Sequence, residues 1–398
     1  MAVLVKGLGD RNVALKKTYA VALGHLVRVA KESSVVKLME TLENRYLEAD
    51  DEDSRLACMH TLQAMVRYNP DVVKNHAGQT VPIVFLGKHT FKTPGNNLHL
   101  NVYRHFSQML LIAFAETRQL IQSWEELWLD IVPGTEAGLR LYSSDIVGYL
   151  HRAITSPSWK LKSQSAAAIG SMAKSLKGLL DPVQRSALLR ILLDGLAGRT
   201  WEGKEHLLHA LASLVTAQPV EEAAVRDEII SVVLREARKE ALPYRRHAVE
   251  VLGQVAEAFQ SDLFSSVYEM LQPLFETKED EMEQDDEEEK EEKHQLQTLE
   301  LHEAAILALG RAFPSDPTAQ GDIEILVIEL RQFYDLVEFK NRKLLEFVHG
   351  VAPGCRGEHD SPSSASYRFI SASGCWPDGA SFVVRFSQRG QQNSGAIS

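Results

Sequence analysis

Seven residues have the spacing of a phosphate-cradling loop: Gly198-Arg-Thr-Trp-Glu-Gly203-Lys204. In such a loop backbone amides and the lysine hold the phosphates, and a following Ser or Thr holds Mg²⁺. Here Glu205 follows, a carboxylate that repels phosphate. The loop must also leave a β-strand, whereas the preceding Ala187 to Leu196 has helical periodicity. The segment therefore reads as a turn with a structural lysine. His206 and His209 stand three apart on a helix, but no neighbour in sequence adds the further ligands zinc needs. His302-Glu303 starts like a zinc-protease helix, and Ile306 then replaces the second histidine. Gly7-Leu-Gly9 continues with Asp10-Arg11-Asn12 and completes no dinucleotide fingerprint. No catalytic residue, cofactor site or metal ligand is expected, and an enzyme has no support in these motifs. What remains are candidate protein contacts. Trp159 and Trp201 precede two helices by similar distances, with Arg199 beside the second. Each tryptophan reads first as packing across a turn; the sharper reading makes them exposed anchors, since interface hot spots favour Trp and Arg.

The helices that carry these residues repeat. Aligning Lys16, Arg55, Lys162, Lys204 and Arg245 brings Ala20, Met59, Ala166, Leu208 and Val249 into one column four positions later. Leu23, Leu62, Ile169, Leu211 and Leu252 follow at seven, and Val27, Val66, Ala173, Val215 and Ala256 at eleven. These offsets share one helical face. The eighth position is mostly small: Gly24, Gln63, Gly170, Ala212 and Gly253. A small residue there predicts close helix approach. A sixth copy starts at His302, with Ile306, Leu309, Gly310 and Phe313. Lys162 to Lys204 is 42 residues and Lys204 to Arg245 is 41. That period, with two helices per unit, is that of HEAT or armadillo repeats. Partner helices are expected at Pro182 to Leu196, with Asp181 as N-cap, and at Glu221 to Glu240. The fold class is an all-α, HEAT/armadillo-type right-handed α-solenoid of six to eight helix pairs.

Three segments break the period. Glu276 to Lys293 holds 12 acidic residues and 3 lysines, most of the net charge of −11. It is expected to be a disordered loop, with Glu287 and Glu288 as candidate contacts for a basic partner. The rest is nearly neutral, so nucleic acid is not an expected partner. Lys88 to Ala115 lacks the repeat register. Nineteen of the 48 residues from Val351 to Ser398 are Ser, Gly or Pro, so a disordered tail is expected, with a short strand at most over Ser381 to Phe386. The organisation reads as repeats over 1–87, a partly helical insertion over 88–123, repeats over 124–275, an acidic loop over 276–295, a last helical part over 296–349 and a tail over 350–398. The three cysteines, Cys58, Cys355 and Cys375, form no C-x-x-C. No signal peptide or long apolar run is visible, so a soluble intracellular chain without membrane insertion is expected.

Several strings resemble one family. They are Asp10-Arg-Asn with Ala22-Leu-Gly-His-Leu-Val-Arg28, then Tyr68-Asn-Pro-Asp-Val-Val-Lys-Asn-His76. Val132-Pro-Gly134, Ser158-Trp159-Lys160 and Gly195-Leu-Ala-Gly-Arg-Thr-Trp-Glu-Gly-Lys204 follow in order. The chain resembles the C-terminal part of the large HEAT-repeat proteasome adaptor and scaffold proteins, the Ecm-type proteasome-associated family. The resemblance covers most of residues 1–320 apart from the insertion and fades after Gln320. Family members are several times longer, so the chain reads as a C-terminal part or alternative product. The resemblance implies a non-enzymatic partner of the 26S proteasome that bridges regulatory and core particles. It also implies links to endosomes, endoplasmic reticulum, centrosome and motor proteins, and residence in cytoplasm and nucleus. The alternative is a transport-receptor or trafficking adaptor on the same architecture, whose acidic loop would hold basic cargo.

Overall fold

A computed structural model describes residues 1–48, 52–89, 121–259, 263–275 and 288–312. All of these lie in one compact unit, Met1–Leu344. Among the described residues every regular element is a helix. In chain order they are α1 (Ala2–Gly7), α2 (Val13–Leu26), α3 (Glu32–Glu48), α4 (Glu52–Tyr68), α5 (Pro70–Asn75), α6 (Ala77–Gly87) and α7 (residues 121–131). Then come α8 (Thr135–Leu141), α9 (Ser143–Ile154), α10 (Trp159–Leu176), α11 (Pro182–Leu196) and α12 (Glu205–Ala217). α13 (Ala223–Glu236), α14 (Leu242–Phe259), α15 (Phe264–Phe275) and α16 (Glu288–Arg311) complete the series.

The aligned copies fall on α2, α4, α10, α12, α14 and α16. Their columns at offsets four and seven are buried in the first five copies, from Ala20 and Leu23 to Val249 and Leu252. In the sixth, Leu309 is fully buried. Successive copies pack on one another most extensively as α2 on α4, α10 on α12 and α14 on α16. This is the stacking of like helices in an α-solenoid, where each unit buries its stripe against its neighbour.

Local signals place the ends. Asp181 accepts from Val183 N at 2.9 Å and Gln184 N at 3.3 Å, and Pro182 opens α11 where no amide is needed. Asn12 caps α2 in the same way, and Ser158 caps α10. The predicted Glu221 to Glu240 helix is shorter, Ala223–Glu236.

Two expected segments differ. α7 begins before the expected boundary at 123, and its Trp124 and Trp128 are almost wholly buried. Trp124 meets the Tyr46 ring edge-on at 5.9 Å, and a Cβ on Gly87 would lie 2.5 Å from it. These large side chains make α7 part of the core. The acidic stretch is also shorter as a loop than expected, because Glu288 to Lys293 open the α16 helix. Glutamate and lysine are good helix formers, and acids favour a helix N-terminus. Residues 276–287, with Glu287, residues 90–120 and everything after Ala312 lie outside the described residues. The tail, its expected strand, Phe313, Cys355 and Cys375 are therefore outside them too.

The stretches on either side of residues 90–120 pack together. Gln164 of α10 donates to Tyr46 Oη of α3 and to Leu86 O of α6, both at 2.7 Å. Tyr149 Oη donates to Glu43 O at 3.3 Å, and Arg152 pairs with Glu43 at 2.6 Å. Cys58 is buried with its Sγ 3.6 Å from Leu42 O. No helix among the described residues is long and apolar enough to cross a membrane.

Candidate functional site

The loop that resembles a phosphate cradle begins and ends on glycines with left-handed backbone, φ +88° at Gly198 and +96° at Gly203. Residues with a Cβ rarely adopt this conformation, so the two glycines let the chain turn from α11 into α12. Glu205, in the place of the magnesium-binding hydroxyl, accepts from Gly203 N at 3.1 Å and so caps the turn.

Lys204 is wholly buried. Its Nζ lies 2.9 Å from Glu236 Oε2, also wholly buried, at the end of α13. It also donates to Gly198 O at 3.4 Å. Glu236 takes further bonds from Tyr244 Oη at 2.8 Å and Arg235 Nε at 3.1 Å. Burial pushes the Glu236 carboxyl up, but these donors outweigh it and hold the group below its ordinary value. Burial lowers the Lys204 ammonium, against the raising pull of Glu236. Burial and Glu236 push the Tyr244 hydroxyl up, which keeps it a donor. With its ammonium engaged by Glu236 and Gly198, Lys204 is not offered to a phosphate. Other basic side chains nearby feed donors to the ends of helices, where carbonyls lack partners. Arg245 Nε donates to Ala237 O at 3.0 Å, and Lys239 Nζ to Gly198 O at 3.3 Å.

The two tryptophans are not equivalent. Trp159 is 43% exposed at the start of α10, with Lys160 Nζ 5.5 Å from its ring centre. Trp201 is half-buried against the core and lies over Gly203, whose Cβ would be 3.6 Å from its ring. Trp201 thus packs as the first reading expected, whereas Trp159 stands exposed. Arg199 is exposed in the loop between α11 and α12. Glu288 is the first residue of α16.

The structure also assembles a group that the spacing of His206 and His209 did not reveal. His209 Nε2 on α12 lies 3.1 Å from His247 Nδ1 on α14. Glu250 Oε2, one turn along α14, lies 3.4 Å from the same nitrogen. The three ligand atoms are all within 4.8 Å of one another, which suits a metal ion. Burial above all, with His247, His206 and Lys174, pushes His209 down to about 4 against the pull of Glu250, so its imidazole is neutral near pH 7. Burial raises Glu250, but His247, Arg246 and His209 bring it below its ordinary value. The ligands come from two helices 38 residues apart in register, so no local pattern could show them; only the repeat alignment could, by setting α12 beside α14.

Two stretches of the chain match known family models. Residues 217–337 match the family model described as "ECM29, C-terminal ARM-like repeats". Residues 1–47 match "Proteasome adapter and scaffold protein ECM29, HEAT-repeat domain". The chain is 36% identical over 280 residues to the proteasome adapter and scaffold protein ECM29 of Homo sapiens, covering 69% of this chain and 14% of that protein. It is 33% identical over 318 residues to the proteasome-associated protein ECM29 homolog of Drosophila melanogaster, covering 77% of this chain and 15% of that protein. The chain thus spans about one seventh of the length of these curated relatives. Among solved structures, a crystal structure of importin beta aligns with TM-score 0.39 at 14% identity, over 81% of this chain and 45% of that one.

Proposed function

Because this chain is of the ECM29 type, we propose that it is a non-enzymatic scaffold that binds the 26S proteasome. Its repeats would bridge or stabilise the regulatory and core particles and link proteasomes to endosomes, endoplasmic reticulum, centrosome or motor proteins, in cytoplasm and nucleus. One observation carries the reading: relatives named as proteasome adapters align along most of the chain, while the lysine of the only phosphate-loop-like string is buried against Glu236. A stacked-helix surface recognises a large partner through many modest contacts, without a reacting centre. Trp159 is the side chain best placed to anchor such a contact, being large, partly apolar and exposed beside a lysine. The test is sedimentation of the purified chain with 26S proteasomes through a native gradient. Co-migration that weakens in Trp159→Ala supports the reading. Migration at the top of the gradient, with capture instead by a small GTPase in its GTP state, would replace it by the transport-receptor alternative.

A further inference from the structure

We propose that His209, His247 and Glu250 form a binding site for a divalent transition metal ion, zinc by ligand class, that staples α12 to α14. The geometry carries the proposal. Zinc binds imidazole nitrogen at about 2.0–2.1 Å and carboxylate oxygen at about 2.0–2.2 Å, and a tetrahedral shell then sets ligand atoms roughly 3.3–3.5 Å apart. The observed separations of 3.1 Å between the two imidazole nitrogens and 3.4 Å between His247 and Glu250 are close to those edges. The third edge is no more than 4.8 Å, so a small rotation of the carboxylate closes the set.

The two helices are held in place independently of any ion. α12 packs on α14 through the repeat columns, with Leu211 and Leu252 fully buried. His247 and Glu250 are three apart on α14 and so share a face. Glu250 also has a charge partner outside the trio: Arg246 Nε lies 3.3 Å from its other oxygen, and the same guanidinium pairs with Glu300 of α16 at 2.8 Å.

The ligand set chooses the ion. Two imidazoles and one carboxylate suit zinc, copper, nickel or cobalt, whereas magnesium and calcium take oxygen ligands. The side chains of His247 and Glu250 are 24% and 32% exposed, so water can fill the fourth position. Lys174 and Arg246 add positive charge around the site. Their repulsion sets the affinity below that of a closed, thiolate-rich site. The competing arrangement is a hydrogen bond between the imidazoles, with a proton where the metal would sit.

Cobalt distinguishes the two. The full chain, stripped with chelator, is titrated with Co²⁺ near pH 7 and followed by visible absorption. The expected result is one saturable equivalent with the intense bands of tetrahedral cobalt, displaced by Zn²⁺ but not by Mg²⁺. His247→Ala and Glu250→Gln should each weaken it at least tenfold, and zinc should raise the melting temperature of the parent only. Absence of binding in the parent, or equal binding in parent and variants, overturns the proposal. Should a variant fail to fold, X-ray absorption of the zinc-loaded parent reads the shell directly. Nitrogen and oxygen scattering with the multiple-scattering pattern of two imidazoles supports the site, and an all-oxygen or sulfur shell overturns it.

Discussion

Between α2 and α4 two helices approach by the loss of a side chain, whereas around α12 to α14 neighbouring repeats are joined by paired charges. At the first seam a Cβ on Gly24 would stand 2.4 Å from the Ala64 Cβ and 2.7 Å from its carbonyl carbon. Asn69 reaches across to donate to Gly24 O. At the second, the small residue is Ala212, and at the start of α12 Lys204, Glu236 and Tyr244 form a buried polar knot. The first seam gains specificity mainly from shape, alongside the Asn69 bond and a Lys16–Asp53 ion pair at 3.9 Å. The polar junction gains it from satisfaction, since each buried charge is tolerable only while its partner stays. The two therefore differ in how they fail: the first by overpacking, the second by orphaning.

The largest expected effect is at the polar junction. Glu236→Leu leaves Lys204 buried without its partner and should cost about 3–5 kcal/mol in urea denaturation. The double variant Lys204→Met/Glu236→Leu should recover most of that loss, because removing both charges removes the desolvation problem as well. If single and double variants are equally unstable, the junction is held by packing and the comparison fails. Acid gives the same contrast without mutation. The Glu236 carboxyl lies below its unfolded value. Its contribution is therefore complete above the ordinary carboxylate range and lost as pH falls through the folded value. Denaturation midpoints between pH 7 and 3 should fall more steeply for the parent than for the double variant.

Next come the glycine seams. Gly24→Ala and Gly253→Ala should each destabilise by about 1–3 kcal/mol despite the better helix propensity of alanine. At Gly253 the added Cβ would lie 2.7 Å from Ala308 Cα, a backbone atom that cannot step aside. Gly170 is looser: its nearest neighbours are Ala210 Cα and Ser213 Oγ, both at 3.4 Å. Gly170→Ala should cost less than either, and Gly170→Leu should still overpack by about 1–3 kcal/mol. Melting curves of the four variants rank the seams directly. A Gly24→Ala protein as stable as the parent would refute the close approach.

The apolar seams were legible in sequence because they repeat. Five copies of one stripe, with small residues recurring at the eighth position, carry both the helix and the face. Asp181-Pro182 was legible because an N-cap and a first-turn proline act locally. The polar features were not. Lys204 sits in the basic column, but its partner Glu236 comes from another helix, and nothing in the spacing announces the pair. The His209–His247–Glu250 cluster was missed for the same reason: its parts become neighbours only when adjacent copies stack. The opening of α16 was misread because a run of like charge resembles a solvated loop, while the same glutamates favour a helix start.

The smallest effect sharpens the comparison from its control side. Gly310 occupies the same eighth position on α16 as Gly24 does on α2, yet no described atom lies within 4 Å of its added Cβ. If the small residue is kept for helix approach alone, this glycine is free to change as far as the described residues go. Among the described residues Gly310→Ala meets no neighbour to be relieved, and it removes the backbone entropy penalty that glycine carries in a helix. Stability should then rise by about 0.5–1 kcal/mol, the sign opposite to that at Gly24 and Gly253. The two results together separate propensity from packing at one repeat position. A destabilised Gly310→Ala protein in thermal denaturation would mean that another helix approaches α16 as closely as α4 approaches α2, and the stack would continue past Ala312 in the same register.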